Sequence, residues 1–189
     1  MKDPLLHTAC SSDQALQLLD SCTSHQRYCT GSMYDYIRTR RDSVPWAKQV
    51  HGDGWHPKHS FTAVMVLHNG LPTVDKLTSR RLFMVNRCAL CEHSCEDIHH
   101  LFFDCDFSRQ VLTTIAHWVS LPLTTYSLAF ILQDGVCSMK QRASLMATVY
   151  YLWKERNTRI FNGVKYSAES ISIVIKNVVT LRLYGSLQL

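Results

Sequence analysis

At 189 residues with 46% hydrophobic content, the chain is long enough to bury one core and, beside it, a second small lobe. Only 19% of residues are charged, and 7 glycines and 5 prolines argue against a low-complexity chain. No apolar run approaches the ~18 residues of a membrane-spanning helix, so no membrane partner is expected.

The net charge of +5 is spread unevenly. Residues 55–87 carry five positive side chains and one negative, whereas residues 88–110 carry one positive and five negative. A polyanion would gain by counterion release on the first stretch and not on the second.

Residues 1–27 read as a polar, partly disordered lead with one short amphipathic piece, Asp13 to Leu19. This stretch has no apolar h-region, so an intracellular location, nuclear or cytoplasmic and not secreted, is expected, with reduced thiols. From Ser32, a good N-cap, Met33, Tyr36 and Ile37 fall at helical spacing. Arg38, Arg40 and Arg41 follow at the helix end, where cations offset the macrodipole. Asp42 to Gly54 reads as a linker broken by Pro45, with Trp46 as an anchor.

Pro57 suits the first turn of a helix that runs to Asn69 and stops at Gly70. Phe61, Val64, Met65, Leu67 and His68 are expected to form its apolar face. Thr73 is expected to cap a second helix, with Asp75 in its first turn and Arg80–Arg81 in its last. The pair makes a hairpin whose Lys58, Lys76, Arg80, Arg81 and Arg87 form the most basic surface. Lys58, Lys76, Arg80 and Arg81 are the candidate nucleic-acid contacts. A solvated charged face accounts for the same residues.

Cys88 to Cys105 reads CALCEHSCEDIHHLFFDC and contains C-x2-C-x8-H-x4-C. Three sulfurs and one imidazole, from Cys88, Cys91, His100 and Cys105, are the set that closes a tetrahedral zinc site. One structural Zn²⁺ is therefore expected, with no open position for water or substrate. Disulfides are the competing reading of the same cysteines, disfavoured by the expected reducing compartment. The doublet His99–His100 leaves two histidine candidates, and His100 is assigned because x4 to the last cysteine recurs in zinc knuckles. Glu96–Asp97 reads as the acidic start of a short helix that carries His100 over the metal. Phe102 and Phe103 are expected to cover the site rather than stack on bases. Cys10, Cys22, Cys29 and Cys137 are expected to be ordinary thiols.

Phe107, Val111, Ile115 and Trp118 then keep one helical face. LAFIL, at Leu128 to Leu132, suits either a strand or a buried helix. Ser138 opens the longest helix, to about Phe161, with Leu145, Met146, Val149, Trp153 and Ile160 on one side and Gly163 beyond its end. Its Lys154, Arg156 and Arg159 form a second basic cluster. Ser167 starts a last helix on which Ile171, Val174, Ile175, Val178 and Leu181 recur at helical spacing. The expected fold is all-α, a small helical domain built around a Cys3His zinc knuckle. The expected division is a lead (1–27), a hairpin with the zinc module (28–119) and a C-terminal helical extension (120–189).

Several of these segments together resemble a known family. WHPKHSFTAVMVLHNGLPTVDKL, the cysteine cluster and HLFFDCDFSRQV are similar to the zinc-binding domain downstream of the reverse transcriptase in plant LINE-type (non-LTR) retrotransposons. YDYIR, PWAK and WKERNTRIF extend the resemblance to roughly residues 28–161. The sequence departs from the family at Val64, where tryptophan is usual, and at Arg81, where a helix-ending glycine is common.

The resemblance implies a non-catalytic tail of a retroelement polyprotein, standing alone, in contact with RNA or another nucleic acid, or with a reverse transcriptase or other protein. The other reading is a structural or protein-interaction module in which zinc only staples helices, including a decaying retroelement fragment. Enzymatic readings find no support in the residues. Tyr34-Asp35-Tyr36 is not a metal-holding carboxylate pair, no H-E-x-x-H or P-C-x-x-C is present, and a saturated zinc site takes no small-molecule substrate.

Overall fold

A proline at the first helical position starts the described core of the molecule. The computed structural model describes residues 23–24, 27–28, 50, 56–82, 85–121 and 137–185. Helix α1 spans Pro57–Leu67, and the His56 ring accepts from the Lys58 amide at 3.3 Å as its cap. It ends in a Schellman turn: the Gly70 amide donates to Met65 at 2.7 Å and Asn69 to Val66 at 2.9 Å. The left-handed residue is Asn69 (φ 51°), one position before the glycine that the sequence suggested.

Helix α2, Val74–Ser79, closes by the same device, with Leu82 donating to Leu77 and Arg81 to Thr78, both at 2.9 Å. Arg81 takes the left-handed position (φ 59°), where the resembling family commonly has glycine. A π-helical turn, His100–Asp104, leads directly into α3, Asp106–Trp118.

Helix α4, Met139–Asn162, opens on a full capping box between Ser138 and Gln141 and stops at Gly163 (φ 68°). Helix α5, Ala168–Tyr184, is capped by the Ser167 hydroxyl. Both N-caps were legible in the sequence.

Helix α4 is the central element, packed against α1, α3 and α5. Leu145, Met146, Val149 and Leu152 of α4 share one buried cluster with Ala63 and Val66, Val111 and Ile115, and Ile171 and Ile175 of those helices. Leu101, Phe102 and Phe103 of the π turn are buried in the same core, as expected. The described fold is all-α, apart from an antiparallel pair, β1 (Thr23–Ser24) and β2 (Arg27–Tyr28), at the end of the expected lead. That pair belongs to a unit spanning Met1–Ser43, and the helices above to a unit spanning Val44–Leu189. Of the expected linker, only Val50 is described, helical and fully buried. The expected helix from Ser32 and the LAFIL run lie outside the described residues.

Two apolar faces differ from their sequence reading. On α1 the buried residues are His59, Ser60, Thr62, Ala63 and Val66, and Phe61 is 65% exposed. The small side chains let α1 approach α4 closely, and His59 lies against the rings of Tyr150 (4.8 Å) and Tyr151 (5.8 Å). On α5 the buried set is Ile171, Ser172, Ile175 and Val179, leaving Val174 and Leu181 exposed. A helix apolar nearly all round does not announce its buried side. Partner helices choose it.

Candidate metal centre

The site is assembled from a tight loop and the π turn. The loop closes on itself, with the Glu92 amide donating to the Cys88 carbonyl and the Cys88 amide to Ser94, both at 2.8 Å. Glu92 adopts φ 65° to make this reversal. The Asp97 carboxylate accepts from the His100 amide at 2.8 Å, so the acidic helix start predicted there is supplied by Asp97. The Cys105 amide then donates to the His100 carbonyl at 2.7 Å, the i to i+5 closure of a π turn. That closure brings position 105 back over position 100, which an ordinary α-turn would not do.

Cys88, Cys91, His100 and Cys105 converge, their donor atoms all within 4.8 Å of one another. The Sγ atoms of Cys88 and Cys105 are 4.0 Å apart, and Cys91 Sγ lies 3.3 Å from His100 Nε2. Tetrahedral ligation at Zn–S distances near ~2.3 Å places sulfurs about 3.8 Å apart. The pair is far outside disulfide range, ~2.05 Å, and all four cysteines of the cluster are free thiols. His99 points away, its Nδ1 2.8 Å from Asp104, and Cys95 is exposed outside the donor group.

The surroundings suit thiolates. Cys105 is the N-cap of α3, and its thiol is held well below the ordinary value by a hydrogen bond from Cys88 and by the Ser108 and Phe107 amides. Cys88 is pushed up by that same bond and by burial, although the Cys91 and Leu90 amides oppose this. Two buried sulfurs 4.0 Å apart, one of them held towards its thiolate form, are an arrangement that a divalent cation can take over. The residues present fit a tetrahedral Cys3His zinc ion with no vacant position.

Charged residues around the loop carry roles that the sequence did not show. Glu96, fully buried, is an anchor rather than a helix start. Its Oε1 accepts from Arg156 Nη2 at 2.7 Å and from the Val74 amide at 2.9 Å. Glu96 therefore caps α2 from 22 residues away, while Thr73, the expected cap, makes no side-chain cap bond. Arg159 pairs with buried Glu155 at 2.7 Å and donates to Leu90 at 2.8 Å. Arg156 and Arg159 are thus internal ties and not an exposed basic cluster. Of that cluster Lys154 is exposed, 5.8 Å from the Tyr151 ring centre.

Among the candidate nucleic-acid residues, Lys58, Arg80 and Arg81 are exposed, as is Arg87. Lys76 is half-buried, and its ammonium donates to Asn69 Oδ1 at 2.7 Å and to the Leu71 carbonyl at 2.9 Å. It ties the start of α2 to the end of α1. The WKERNTRIF segment was the one sequence signal for the internal arginines, but nothing in it indicated that they point inward.

Fold and site first define the class: a helical domain folded about a thiolate-rich, four-donor metal centre. Residues 28–111 match the family model described as zinc-binding in reverse transcriptase. No curated protein and no solved structure matches the chain. The donor chemistry, the convergence of the four side chains and the family description together define one zinc site. Among the described residues no helix is long and apolar enough to cross a membrane.

Proposed function

We propose that this chain is a non-catalytic, zinc-stapled helical domain of the kind found downstream of the reverse transcriptase in plant LINE-type retrotransposons. In this reading Cys88, Cys91, His100 and Cys105 ligate a single zinc ion whose task is architectural. The observation that carries it is the convergence of all four donors between a loop and the π turn, with buried core directly behind them. A saturated donor set leaves zinc no position for substrate. The ion joins the loop to α3, and Glu96 carries that connection on to α2 and α4.

RNA contact in this reading runs through Lys58, Arg80 and Arg81. Lys76, Arg156 and Arg159 are already engaged by acceptors within the fold, so the phosphate-binding surface is smaller than the sequence charge suggested. Titration of zinc-loaded protein against single-stranded RNA at two salt concentrations tests this. Replacing both Arg80 and Arg81 with alanine should lower the salt slope of log K by about 1.4, from two lost contacts at ~0.7 each. The helical circular dichroism should not change.

One observation favours a second reading, a protein-interaction module. Ile173, Val174, Leu181 and Tyr184 of α5 are all exposed and recur on one side of the helix. Absence of salt-dependent RNA binding below millimolar would leave this second reading standing.

A further inference from the structure

The turn that carries two of the four donors is held from outside by an arginine. The peptide between Cys88 and Cys91 presents two carbonyls, Ala89 and Leu90, and Nη1 of Arg159 donates to both, at 3.3 and 2.8 Å. Nε of Arg159 pairs with Glu155 Oε1 at 2.7 Å, and Nη2 reaches the Tyr166 carbonyl at 3.1 Å. The guanidinium lies over the Phe107 ring, 4.4 Å from its centre, and the side chain is 9% exposed. Every edge of the fork is therefore engaged, and its orientation is fixed before any ion arrives.

We propose that Arg159 is a positioning residue for the zinc site, holding the Cys88–Cys91 turn in its ligating shape from helix α4. This rests on the zinc reading above and adds to it a residue 54 positions beyond the last proposed ligand, well outside the segment matched by the family model. Two physical effects act together. A C-x2-C turn free to open must lose conformational freedom when both thiolates bind one ion, and the paired carbonyl bonds hold that turn in advance. Three thiolates and a neutral imidazole around Zn²⁺ also carry a net charge of −1, and the Arg159–Glu155 pair, neutral overall, turns its positive end towards the loop, with Nη1 on the Ala89 and Leu90 carbonyls and Nε on Glu155. Outer partners of this kind typically contribute 10–100-fold to metal affinity.

Because Glu155 is buried, removing Arg159 alone would strand its carboxylate, so the variant to make is E155Q/R159M, compared with E155Q. The methionine keeps the stem over Phe107 and removes every donor. Zinc release is timed into excess chelator, affinity is read by competition, and Co²⁺ substitution reports the ligand set. We expect E155Q/R159M to bind zinc 10–100-fold more weakly and release it at least tenfold faster than E155Q, while its Co²⁺ spectrum keeps the three-sulfur, one-nitrogen pattern. K154M, one turn away and exposed, should match the wild type.

Equal affinity and equal release rate in E155Q and E155Q/R159M would overturn the proposal, because a turn held in its ligating shape by Arg159 cannot keep its metal exchange unchanged once every donor of that side chain is removed. If the double variant does not fold, R159K decides. A single ammonium cannot span both carbonyls and Glu155, so release should still quicken, and wild-type release from R159K would overturn the proposal. A wild-type chain that takes up neither Zn²⁺ nor Co²⁺ would instead sink the zinc reading, and this inference with it.

Discussion

Replacing Arg156 with methionine should be among the most damaging single changes in the described core that touch no proposed metal ligand. Arg156 is 2% exposed and Glu96 is 0% exposed. The guanidinium donates to the carboxylate three times, at 2.7, 3.1 and 3.3 Å. With Arg156 gone, the carboxylate keeps the Val74 amide at 2.9 Å and a long contact to the Ala89 amide at 3.5 Å. Two neutral donors do not compensate a charge removed from water. Breaking a buried pair from one side costs about 3–5 kcal/mol. For a domain of this size, ~4 °C per kcal/mol translates that into a fall in Tm of about 12–20 °C.

The E96Q/R156M double variant should recover much of the loss, because neither charge is then stranded and the side-chain amide oxygen introduced at position 96 can still accept from the Val74 amide. Thermal and urea unfolding of the wild type, both single variants and the double variant in zinc-replete buffer gives the coupling energy directly. A loss below about 1 kcal/mol in R156M, or a double variant no better than the single one, would refute the argument that Glu96 is a buried charge held by Arg156.

Three further outcomes are expected. Chelation, or C91S, should unfold at least residues 87–109, since structural zinc contributes on the order of 10 kcal/mol to a small module; an unchanged melt after stoichiometric zinc removal would contradict this. His59 is held down to about 4 by burial, with His56 adding to the effect. Its neutral form is favoured in the fold, so its contribution is intact above the unfolded value of 6.5 and lost as pH falls from 6.5 towards 4. At 1.36 kcal/mol per unit this amounts to at most about 3.4 kcal/mol, less whatever solvent screening removes, and H59F should flatten that part of the pH–stability curve relative to wild type, with the zinc-dependent part cancelling in the comparison. R81G should stabilise by about 1 kcal/mol in urea unfolding by relieving a left-handed non-glycine residue, while weakening any RNA contact made by Arg81. R81A should give no gain.

The metal centre was legible because its information is local. Ligand spacing, the acidic Asp97 cap and the turn into α3 all lie within 88–109, and short-range stereochemistry decides them. The caps at Ser138 and Ser167 and the stop at Gly163 were legible for the same reason. Glu96 was misread because its partners, Val74 and Arg156, lie 22 and 60 residues away. A carboxylate beside an aspartate looks like a helix start until the fold removes it from water. Arg156 and Arg159 were misread in the same way: Coulomb sign is visible in a sequence, but burial is not. That difference alters the functional picture, because cations spent inside the domain are withdrawn from any nucleic-acid surface. Phe61 and Leu181 show the limit of periodicity, since an apolar-rich helix offers more than one plausible face and its neighbours select one.

The most direct test of the zinc site is X-ray absorption at the zinc edge on the purified chain, with metal content measured on the same sample. One zinc per chain, with three sulfurs near ~2.3 Å and one nitrogen near ~2.0–2.1 Å, is the predicted result, with the nitrogen lost in H100A and kept in H99A. A shell containing oxygen ligands, two sulfurs only, or a spectrum that changes with H99A instead would contradict a closed Cys88, Cys91, His100 and Cys105 centre.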